Sequence, residues 1–574
     1  MMKRHLIGRV ALAVGLALVL SPAAHATATT ELRQDLDERD YPLSFSGSYL
    51  AALTAGRSRD LAAAALYFDK ALEADPENLS LIERTFMLKL ADGNVTRAIE
   101  LSDQVISHDD DNRFARLALG VFALKQKSYK KAVNQFEKIE QGPLARLTGT
   151  LLKAWTLAGD GDVDTALETI DQLSGPVWYE SFKLYHTALI AEVSDRGEIA
   201  RASYEAAHER DPNVLRTAEA WARFQLRNEL EESGKEAVEV LARRYSSRPS
   251  IQQLMKAVED GMKPKSMVTN AMQGAMEVLY GLGTAIGREG GEEISHVYLN
   301  LAAHLQPENA LPRLALGDLL EQDKRYQKAI DHYAAIPETS IHYTNALISQ
   351  AFAQNSLENL DQSRTIMDTL LEKEPDNLIA LASYGNILRS HELYAEAGEI
   401  YARAISLLSP EEEARNWSLF YSRGITHERI GNWPEAEADF RKALVLRPNH
   451  PQVLNYLGYS LIDRDMKYEE ALEMIREAVR QRPNDAYIID SLGWAYYKLE
   501  RFEKAVEHLE RAVELRPHDP ILNDHLGDAY WQVGRKLEAV FQWSHARDLD
   551  PEEKDLEKIV RKIENGLSED DQDG

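Results

Sequence analysis

The stretch that decides the fold is residues 454–483, LNYLGYSLIDRDMKYEEALEMIREAVRQRP. Its pattern recurs in residues 489–517, IDSLGWAYYKLERFEKAVEHLERAVELRP, and in residues 523–551, NDHLGDAYWQVGRKLEAVFQWSHARDLDP. Each stretch carries, in this order, Leu-Gly, a small residue, a large apolar residue, an alanine and a closing proline. Self-similarity at a spacing of 34 or 35 residues predicts a stack of helical pairs.

The pattern resembles the tetratricopeptide (TPR) repeat, L-G-x-x-Y…A-x-x-x-F…A…P. The small position of the first helix can be followed back along the chain, almost always at intervals of 34 residues. Its occupants are Ala52, Phe86 as the one large exception, Gly120, Ala154, Ala188, Ala222, Gly283, Gly317, Ala351, Gly385, Gly424, Gly458, Gly493 and Gly527. Fourteen repeats therefore cover about residues 45–553.

Helix packing gives a physical reason for this spacing. We expect the small residue of each first helix to face the alanine of the second helix, because two helices approach closely only where a side chain is minimal. The large residue one turn later then fills the gap toward the next repeat. The sequence therefore predicts an all-α fold, a right-handed TPR superhelical solenoid of about fourteen helix-turn-helix repeats.

The repeats group into two arrays. Residues 45–251 hold about six repeats, residues 252–275 form an irregular Met-rich linker, and residues 276–553 hold about eight repeats. The methionines of the linker suit either an adaptable docking segment or a decayed repeat that fills a seam. Residues 554–574 are expected to form a capping helix followed by an acidic tail.

Residues 1–26 have the pattern of a signal peptide. Lys3, Arg4 and Arg9 precede the apolar run 10–20, and residues 24–26 read Ala-His-Ala, a cleavage signature. Eleven apolar residues are too few to span a bilayer, although an uncleaved anchor is the alternative. We therefore expect export to the periplasm, a lead-in at residues 27–44, and a mature chain without a transmembrane segment.

Composition excludes several classes of function. The 574 residues include 93 acidic and 66 basic side chains, a net charge of −27, so nucleic acid is not an expected partner. Cysteine is absent, which excludes disulfides, thiolate metal sites, cysteine nucleophiles and N-terminal lipidation of a cysteine.

A search for catalytic motifs supports no enzyme. H-E-x-x-H, Walker and G-x-S-x-G motifs are all missing from the sequence. Residues 281–287, GLGTAIG, resemble a dinucleotide loop but have three residues between the last glycines where two are needed. The sequence predicts no catalytic residues, no metal site and no cofactor, with an unrecognised active site as the remote alternative.

Binding is therefore the expected activity, along the first helices of the last three repeats. Positions three before, one after and four after the small residue share one helix face. We name eight of these residues the C-terminal stripe: Asn455, Tyr459, Asp490, Trp494, Tyr497, Asp524, Asp528 and Trp531. Aromatic rings among carboxylates and carboxamides suit proteins or extended peptides. The alternative is that the rings pack between repeats and the aspartates form a solvated face.

A closer resemblance concerns residues 450–550. The run YLGYSLID…DSLGWAYYKLERFEKAVEHLERA…NDHLGDAYWQVGR is similar to a group of proteobacterial envelope TPR proteins. That group includes a lipoprotein adaptor that brings cell-wall hydrolases to a carboxy-terminal processing protease. The resemblance implies a periplasmic adaptor whose partners are such a protease and such hydrolases. This chain departs from the group in lacking the lipidated cysteine, and the alternative is a TPR assembly factor for secretion or envelope polysaccharide export.

Overall fold

A computed structural model of the chain describes residues 44–58, 60–228 and 230–567. In these residues every regular element is a helix, and none of the helices is long and apolar enough to cross a membrane. The expected signal peptide, the lead-in as far as residue 43 and the acidic tail from residue 568 lie outside the described residues. The chain divides into two compact units, residues up to 246 with 251–316, and residues 247–250 with 317–574.

The first unit contains six helix pairs, a single helix and a seventh pair. Its helices are α1 Phe45–Arg57, α2 Leu61–Ala74, α3 Leu79–Asp92, α4 Val95–His108, α5 Arg113–Lys125, α6 Tyr129–Phe136, α7 Pro143–Asp160, α8 Val163–Asp171, α9 Tyr179–Val193, α10 Gly197–Arg210, α11 Leu215–Arg227, α12 Glu231–Tyr245, α13 Pro249–Glu259, α14 Ala271–Arg288 and α15 Glu292–Leu305. The boundary at 250–251 falls within α13, and the boundary at 316–317 falls within α16, Ala310–Gln322.

The second unit continues in pairs and ends with a single helix. Its helices are α17 Tyr326–Ala334, α18 Tyr343–Ser356, α19 Leu360–Lys373, α20 Leu378–Ser390, α21 Tyr394–Ser406, α22 Pro410–Glu413, α23 Trp417–Arg429, α24 Trp433–Leu446, α25 Pro451–Asp463, α26 Tyr468–Gln481, α27 Ala486–Lys498, α28 Phe502–Leu515, α29 Pro520–Gln532, α30 Lys536–Asp548 and α31 Glu553–Asn565. We call α31 the terminal helix.

The prediction of an all-α TPR fold is confirmed. Fourteen helix pairs follow one another between residues 45 and 548, with α13, the one-turn helix α22 and the terminal helix as the described extra elements. The grouping of the pairs differs from the division expected from the sequence. The pair α14–α15 lies in the first unit, and helix α13 occupies part of the interval expected to be irregular.

Asparagine side chains begin several helices of the first unit. The side-chain oxygens of Asn78, Asn94 and Asn112 accept hydrogen bonds from backbone amides three residues later, at 3.3, 3.2 and 3.1 Å. These contacts satisfy amide groups that have no partner within the helix. Polar residues at these turns therefore fix where these three helices start.

The small residue of each first helix makes room for a large side chain. A Cβ atom added at Gly527 would lie 2.4 Å from Cδ1 of Trp543, a ring that is fully buried in the second helix of the same pair. The same relation holds for Gly120 with Phe136, Gly317 with Tyr333, Gly385 with Tyr401, Gly424 with Phe440 and Gly493 with Leu509. From the sequence we expected the small residue to face only the alanine of the second helix. In the structure the large residue of that second helix also packs against the small residue of its own pair.

We expect Gly527→Val to destabilise the second unit by about 1–3 kcal/mol, because the added atoms must displace the Trp543 ring from a packed core. Urea unfolding followed by circular dichroism measures this loss. Gly56→Ala is the control, since a Cβ at this helical position meets no atom within 4 Å. The control should be neutral or slightly stabilising, because alanine is the better helix former. Equal effects of the two substitutions would contradict this account of the glycine.

The seventh pair packs against the earlier pairs of its own unit. Helix α14 contacts α7 and α9, and helix α15 contacts α3 and α5, which are the first helices of pairs two to five. Gly274 of α14 lies so close to Trp155 of α7 that a Cβ atom would be 2.3 Å from the indole ring. The first-helix face of these pairs is therefore covered by helices of the chain itself.

Polar side chains also hold the seventh pair in place. Asn300 of α15 donates hydrogen bonds to the carbonyl oxygens of Leu90 and Ala91 at 3.0 and 2.9 Å, at the end of α3. The hydroxyl groups of Thr148 and Tyr298 lie 2.9 Å apart. Because these groups are buried, their hydrogen bonds would be costly to break without replacement. The pair is an integral part of the first unit.

Candidate functional site

The candidate site lies at the end of the second unit. In helical-repeat arrays the concave surface is the usual binding surface, and in TPR pairs the first helices line it. The seventh pair covers this surface in pairs two to five of the first unit. In the second unit, the first helices α25, α27 and α29 carry the predicted C-terminal stripe. The stripe and the terminal helix beside it therefore form the candidate site.

The structure brings the stripe residues together but buries half of them. Asp490, Trp494, Tyr497 and Asp528 are between 2 and 6% exposed. The other four stripe residues, Asn455, Tyr459, Asp524 and Trp531, are half-buried. The sequence offered two expectations, a stripe exposed for partner binding, or rings packed between repeats beside solvated aspartates. The rings of Trp494 and Tyr497 are packed as in the second expectation, but Asp490 and Asp528 are buried and do not form a solvated face.

Trp494 is at the centre of an aromatic stack. Its ring lies parallel to the Tyr497 ring, with centroids 4.7 Å apart and an interplanar angle of 8°. On the next first helix, the imidazole of His525 stacks on Trp494 with centroids 4.3 Å apart. Stacked rings of this kind contribute beyond the area that they bury. The stack connects two successive repeats and leaves little of Trp494 for a partner to contact.

Asp490 fixes the imidazole of His525. Nδ1 of His525 lies 3.0 and 3.1 Å from the two carboxylate oxygens of Asp490. Burial alone would lower the pKa of His525, but the charge and hydrogen bond of Asp490 outweigh it, so the pKa is raised above its ordinary value. The pair therefore favours the protonated imidazole next to Trp494.

We expect Asp490→Asn to lower the pKa of His525, because burial then acts without the opposing carboxylate. NMR titration of the imidazole protons measures the change. A raised histidine pKa stabilises the fold below about pH 6.5, and this contribution disappears as the pH rises through the folded pKa. Asp490→Asn should therefore cost more stability at pH 6 than at pH 9. An equal cost at both values would contradict the assignment.

A lysine of the terminal helix joins the stripe. Nζ of Lys562 lies 2.8 Å from Asp524 and 2.7 Å from Asp528, and the lysine side chain is 5% exposed. Asp528 also accepts a hydrogen bond from Nε1 of Trp543 at 2.9 Å. Burial and the nearby charge of Asp524 raise the pKa of Asp528 to about 7, against the opposing effect of Lys562. Two carboxylates thus share one ammonium group in a largely dry environment.

A cavity of about 190 Å³ lies between the stripe and the terminal helix. Its walls include Tyr459 and Trp494 from the stripe and Ile559 from the terminal helix. Asp524 also lines it, and Oδ1 of this residue is buried without a hydrogen-bond partner among the described residues. Aromatic walls and a carboxylate oxygen with spare acceptor capacity suit a ligand that carries apolar groups and a cation or hydrogen-bond donor.

The sequence interpretation missed three residues of this site: His525, Trp543 and Lys562. His525 and Trp543 were hidden because neither occupies a stripe position, although Trp543 follows Gly527 at the spacing of the other large residues. Lys562 lies three residues after Ile559, and both are the buried residues of the terminal helix. That spacing on an otherwise polar helix is the signal that could have identified Lys562. The described residues contain no group of three His, Asp or Glu side chains that could hold a metal ion.

Family models detect tetratricopeptide repeats in the chain. The model described as TPR repeat matches residues 493–534, and the model described as tetratricopeptide repeat matches residues 298–341, 356–412 and 421–486. The sequence prediction of TPR repeats is therefore confirmed for these segments. They include α25, α29 and the second half of α27, which are first helices that carry the C-terminal stripe.

Two curated relatives are similar over part of their length. A TPR repeat-containing protein of Pseudomonas aeruginosa is 26% identical over 190 residues, which cover 32% of this chain and 30% of the relative. A lipoprotein NlpI homolog of Haemophilus influenzae is 35% identical over 98 residues, which cover 17% of this chain and 27% of the relative. The chain thus spans less than a third of the length of either relative.

Solved structures also match the chain. The APC/C hetero-tetramer Cut9-Hcn1 is 14% identical, with 94% of this chain and 99% of that chain covered and a TM-score of 0.39. A tetratricopeptide repeat protein from Parabacteroides merdae is 14% identical, with 45% of this chain and 99% of that chain covered and a TM-score of 0.38. By the family models, the chain carries tetratricopeptide repeats, a fold that generally serves to bind proteins.

Proposed function

We propose that the chain is a non-catalytic scaffold of the bacterial periplasm that binds partner proteins at the C-terminal stripe. The observation that carries this proposal is the cavity between the stripe and the terminal helix, which combines aromatic walls with the half-buried carboxylate of Asp524 and the buried carboxylate of Asp528. The first-helix face of pairs two to five in the first unit is occupied by α14 and α15. Partner binding is therefore assigned to the second unit.

Charge supports a basic or donor-rich partner segment. The chain has a net charge of −27, so its field favours approach of positively charged surfaces. Lys562 demonstrates within the molecule that an ammonium group fits between Asp524 and Asp528. Partner binding at this site is therefore expected to depend on charge, whereas binding to a purely apolar groove would not.

The proposed location and adaptor role rest on the sequence and on the relatives. The pattern of residues 1–26 supports export, and the match to a protein named as a lipoprotein supports a place in the cell envelope. An adaptor in this compartment would bring a processing protease and cell-wall hydrolases together. A secretion or polysaccharide-export assembly factor is the competing proposal.

A pull-down from periplasmic extract with the full tagged chain tests the proposal. Capture of a processing protease together with cell-wall hydrolases supports the adaptor role, whereas capture of polysaccharide-export components favours the assembly factor. Tyr459→Ala and Asp524→Asn are the site variants, because both residues are half-buried and line the cavity. Glu514→Gln is the matched control, since this carboxylate is 69% exposed on a second helix.

We expect both site variants to reduce capture while the control captures like the wild type. Melting curves of the three variants show whether each remains folded. Capture that is unaffected by Tyr459→Ala and Asp524→Asn would reject the C-terminal stripe as the binding site. Recovery of the tagged chain from the cytosol with Met1 intact would reject the periplasmic location.

A further inference from the structure

The terminal helix packs against the repeats with one fully buried apolar side chain, Ile559, and with the partly buried Ile563. Of its thirteen residues, Ile559 and Lys562 are the buried ones, while Glu557, Lys558 and Arg561 are exposed. Helices at chain ends that bury few apolar groups open more readily than helices of the core. The terminal helix is therefore the element of this site that can leave with the least disruption.

Its lysine forms two ion pairs with the repeats. Asp524 and Asp528 both bind Nζ of Lys562, and together they carry one more negative charge than the lysine neutralises when both are ionised. Removal of the cation alone would leave two carboxylates facing each other in a dry site, which is strongly unfavourable. Another lysine from a different segment could take the same place.

The cavity continues beyond the part that the terminal helix fills. Pro520, Ile521 and Tyr459 form a wall on the repeat side, and Asp555 and Ile559 form the opposite wall on the helix side. Space next to a bound helix allows a bulkier side chain to be accommodated at the position of Ile559. The surface is therefore shaped for a helix but is not completely filled by this one.

We propose that the terminal helix is a displaceable internal ligand, and that the surface beneath it binds a helical segment of a partner protein that carries an aliphatic residue and, three positions later, a lysine. This inference rests on the proposed function, because it names the partner chemistry of the same site. Residues three apart lie on one helix face, so such a segment places both side chains as Ile559 and Lys562 are placed.

The end of the terminal helix adds a constraint on the partner segment. Gly566 has a φ of 77°, and a Cβ atom there would lie 2.2 Å from the ring of Trp531. Because side chains rarely adopt this backbone conformation, glycine is required where the chain passes the indole. A segment that follows the terminal helix along its whole length therefore needs a glycine four residues after its lysine.

A synthetic peptide of residues 551–567, labelled with a fluorophore, is the probe. Its binding to the full chain is measured by fluorescence anisotropy with the wild type, Lys562→Glu and Lys554→Met. Lys562→Glu brings a third carboxylate to Asp524 and Asp528 and should release the terminal helix. Lys554→Met is the matched control, because that lysine is 74% exposed on the same helix.

We expect the peptide to bind Lys562→Glu at least tenfold more tightly than the wild type. An internal ligand acts at an effective concentration in the millimolar range, so it competes strongly with an added peptide until it is released. The control should bind as weakly as the wild type. A peptide with methionine in place of its lysine should bind Lys562→Glu at least tenfold less tightly than the lysine peptide.

Hydrogen exchange of residues 553–565 shows whether the terminal helix has left the site. If these amides stay protected in Lys562→Glu, the double variant Lys562→Glu with Gly566→Leu replaces it, since leucine cannot fit beside Trp531. Equal binding to the released and unreleased chains, or equal binding of the lysine and methionine peptides, would overturn the inference.

The two proposals fail in different ways. In one outcome, capture of periplasmic partners depends on Asp524, but the peptide binds no more tightly after the terminal helix is released. This outcome rejects the internal ligand and keeps the proposed function. In the other outcome, the lysine peptide binds tightly after the terminal helix is released, but the stripe variants leave partner capture unchanged. This outcome rejects the proposed function. In that case the site recognises the terminal helix alone.

Discussion

Replacement of Trp494 by alanine is expected to lower the free energy of unfolding of the second unit by about 3–5 kcal/mol. The indole is 4% exposed and is stacked between Tyr497 and His525. Alanine would leave a cavity that these two rings and their backbones can close only in part. Urea unfolding, followed by hydrogen exchange of the amides of α27, measures the loss in this unit.

Tyr487→Ala is the control for this prediction. Tyr487 lies on the same helix, is 48% exposed, and donates its hydroxyl to Asp519. Its replacement should cost less than about 1 kcal/mol, as is usual for surface substitutions. A Trp494→Ala chain that unfolds like the wild type but loses its partners would contradict the core role and make Trp494 a binding residue.

Replacement of Arg216 by methionine is expected to destabilise the first unit by about 3–5 kcal/mol at neutral pH, because it leaves the carboxylate of Glu277 buried without a cation. Nε of Arg216 lies 2.8 Å from Oε1 of Glu277, and the glutamate is 2% exposed. Tyr185 also donates its hydroxyl to Glu277 at 3.1 Å. Thermal unfolding of the full chain, compared with that of the wild type, measures the effect.

The effect of Arg216→Met should depend on pH in one direction. In the wild type, burial raises the pKa of Glu277, but the charge and hydrogen bonds of Arg216 outweigh it and hold the pKa below its ordinary value. A lowered carboxyl pKa stabilises the fold above the ordinary value, and this contribution is lost as the pH falls through the lowered pKa. Without Arg216, burial raises the pKa and Glu277 can take up a proton.

The loss caused by Arg216→Met should therefore shrink as the pH falls toward 4.5. Arg196→Met is the control, since Arg196 pairs with Asp164 at the surface, where the two side chains are 48 and 85% exposed. Surface pairs of this kind contribute about 0–1 kcal/mol. A loss that stays constant between pH 7 and pH 5 would show that packing of the arginine, and not its charge, supports the seventh pair.

The sequence predicts the helix pairs because the information that defines them is local. The spacing from Gly493 to Gly527 follows from two helices and two turns, and the glycines were recognisable without knowing their neighbours. The identity of those neighbours was less accessible. Gly527 could be placed on a first helix, but its contact with Trp543 required the distance between the two helices.

The position of the seventh pair could not be predicted from its own residues. Gly283 on its first helix, and Ser295 in the place of the alanine on its second helix, follow the pattern of the other pairs. This pattern determines how two helices pack together, not where the pair lies. The contacts that place it, such as Gly274 against Trp155, join residues far apart in the sequence. For the same reason periodicity could place the stripe residues on first helices, whereas the burial of Asp528 by Lys562 was missed.

The seventh pair also changes how the first unit is expected to fold. Asn300 bonds to the carbonyl oxygen of Leu90 across 210 residues of chain, and Tyr298 contacts Thr148 across 150. In an ordinary repeat array each pair contacts only its neighbours, so folding can start anywhere and spread along the chain. Closing loops of this length costs entropy before any contact compensates for it, which slows folding. The first unit should consequently fold late in synthesis, after residue 305 has emerged, and unfold as one cooperative block.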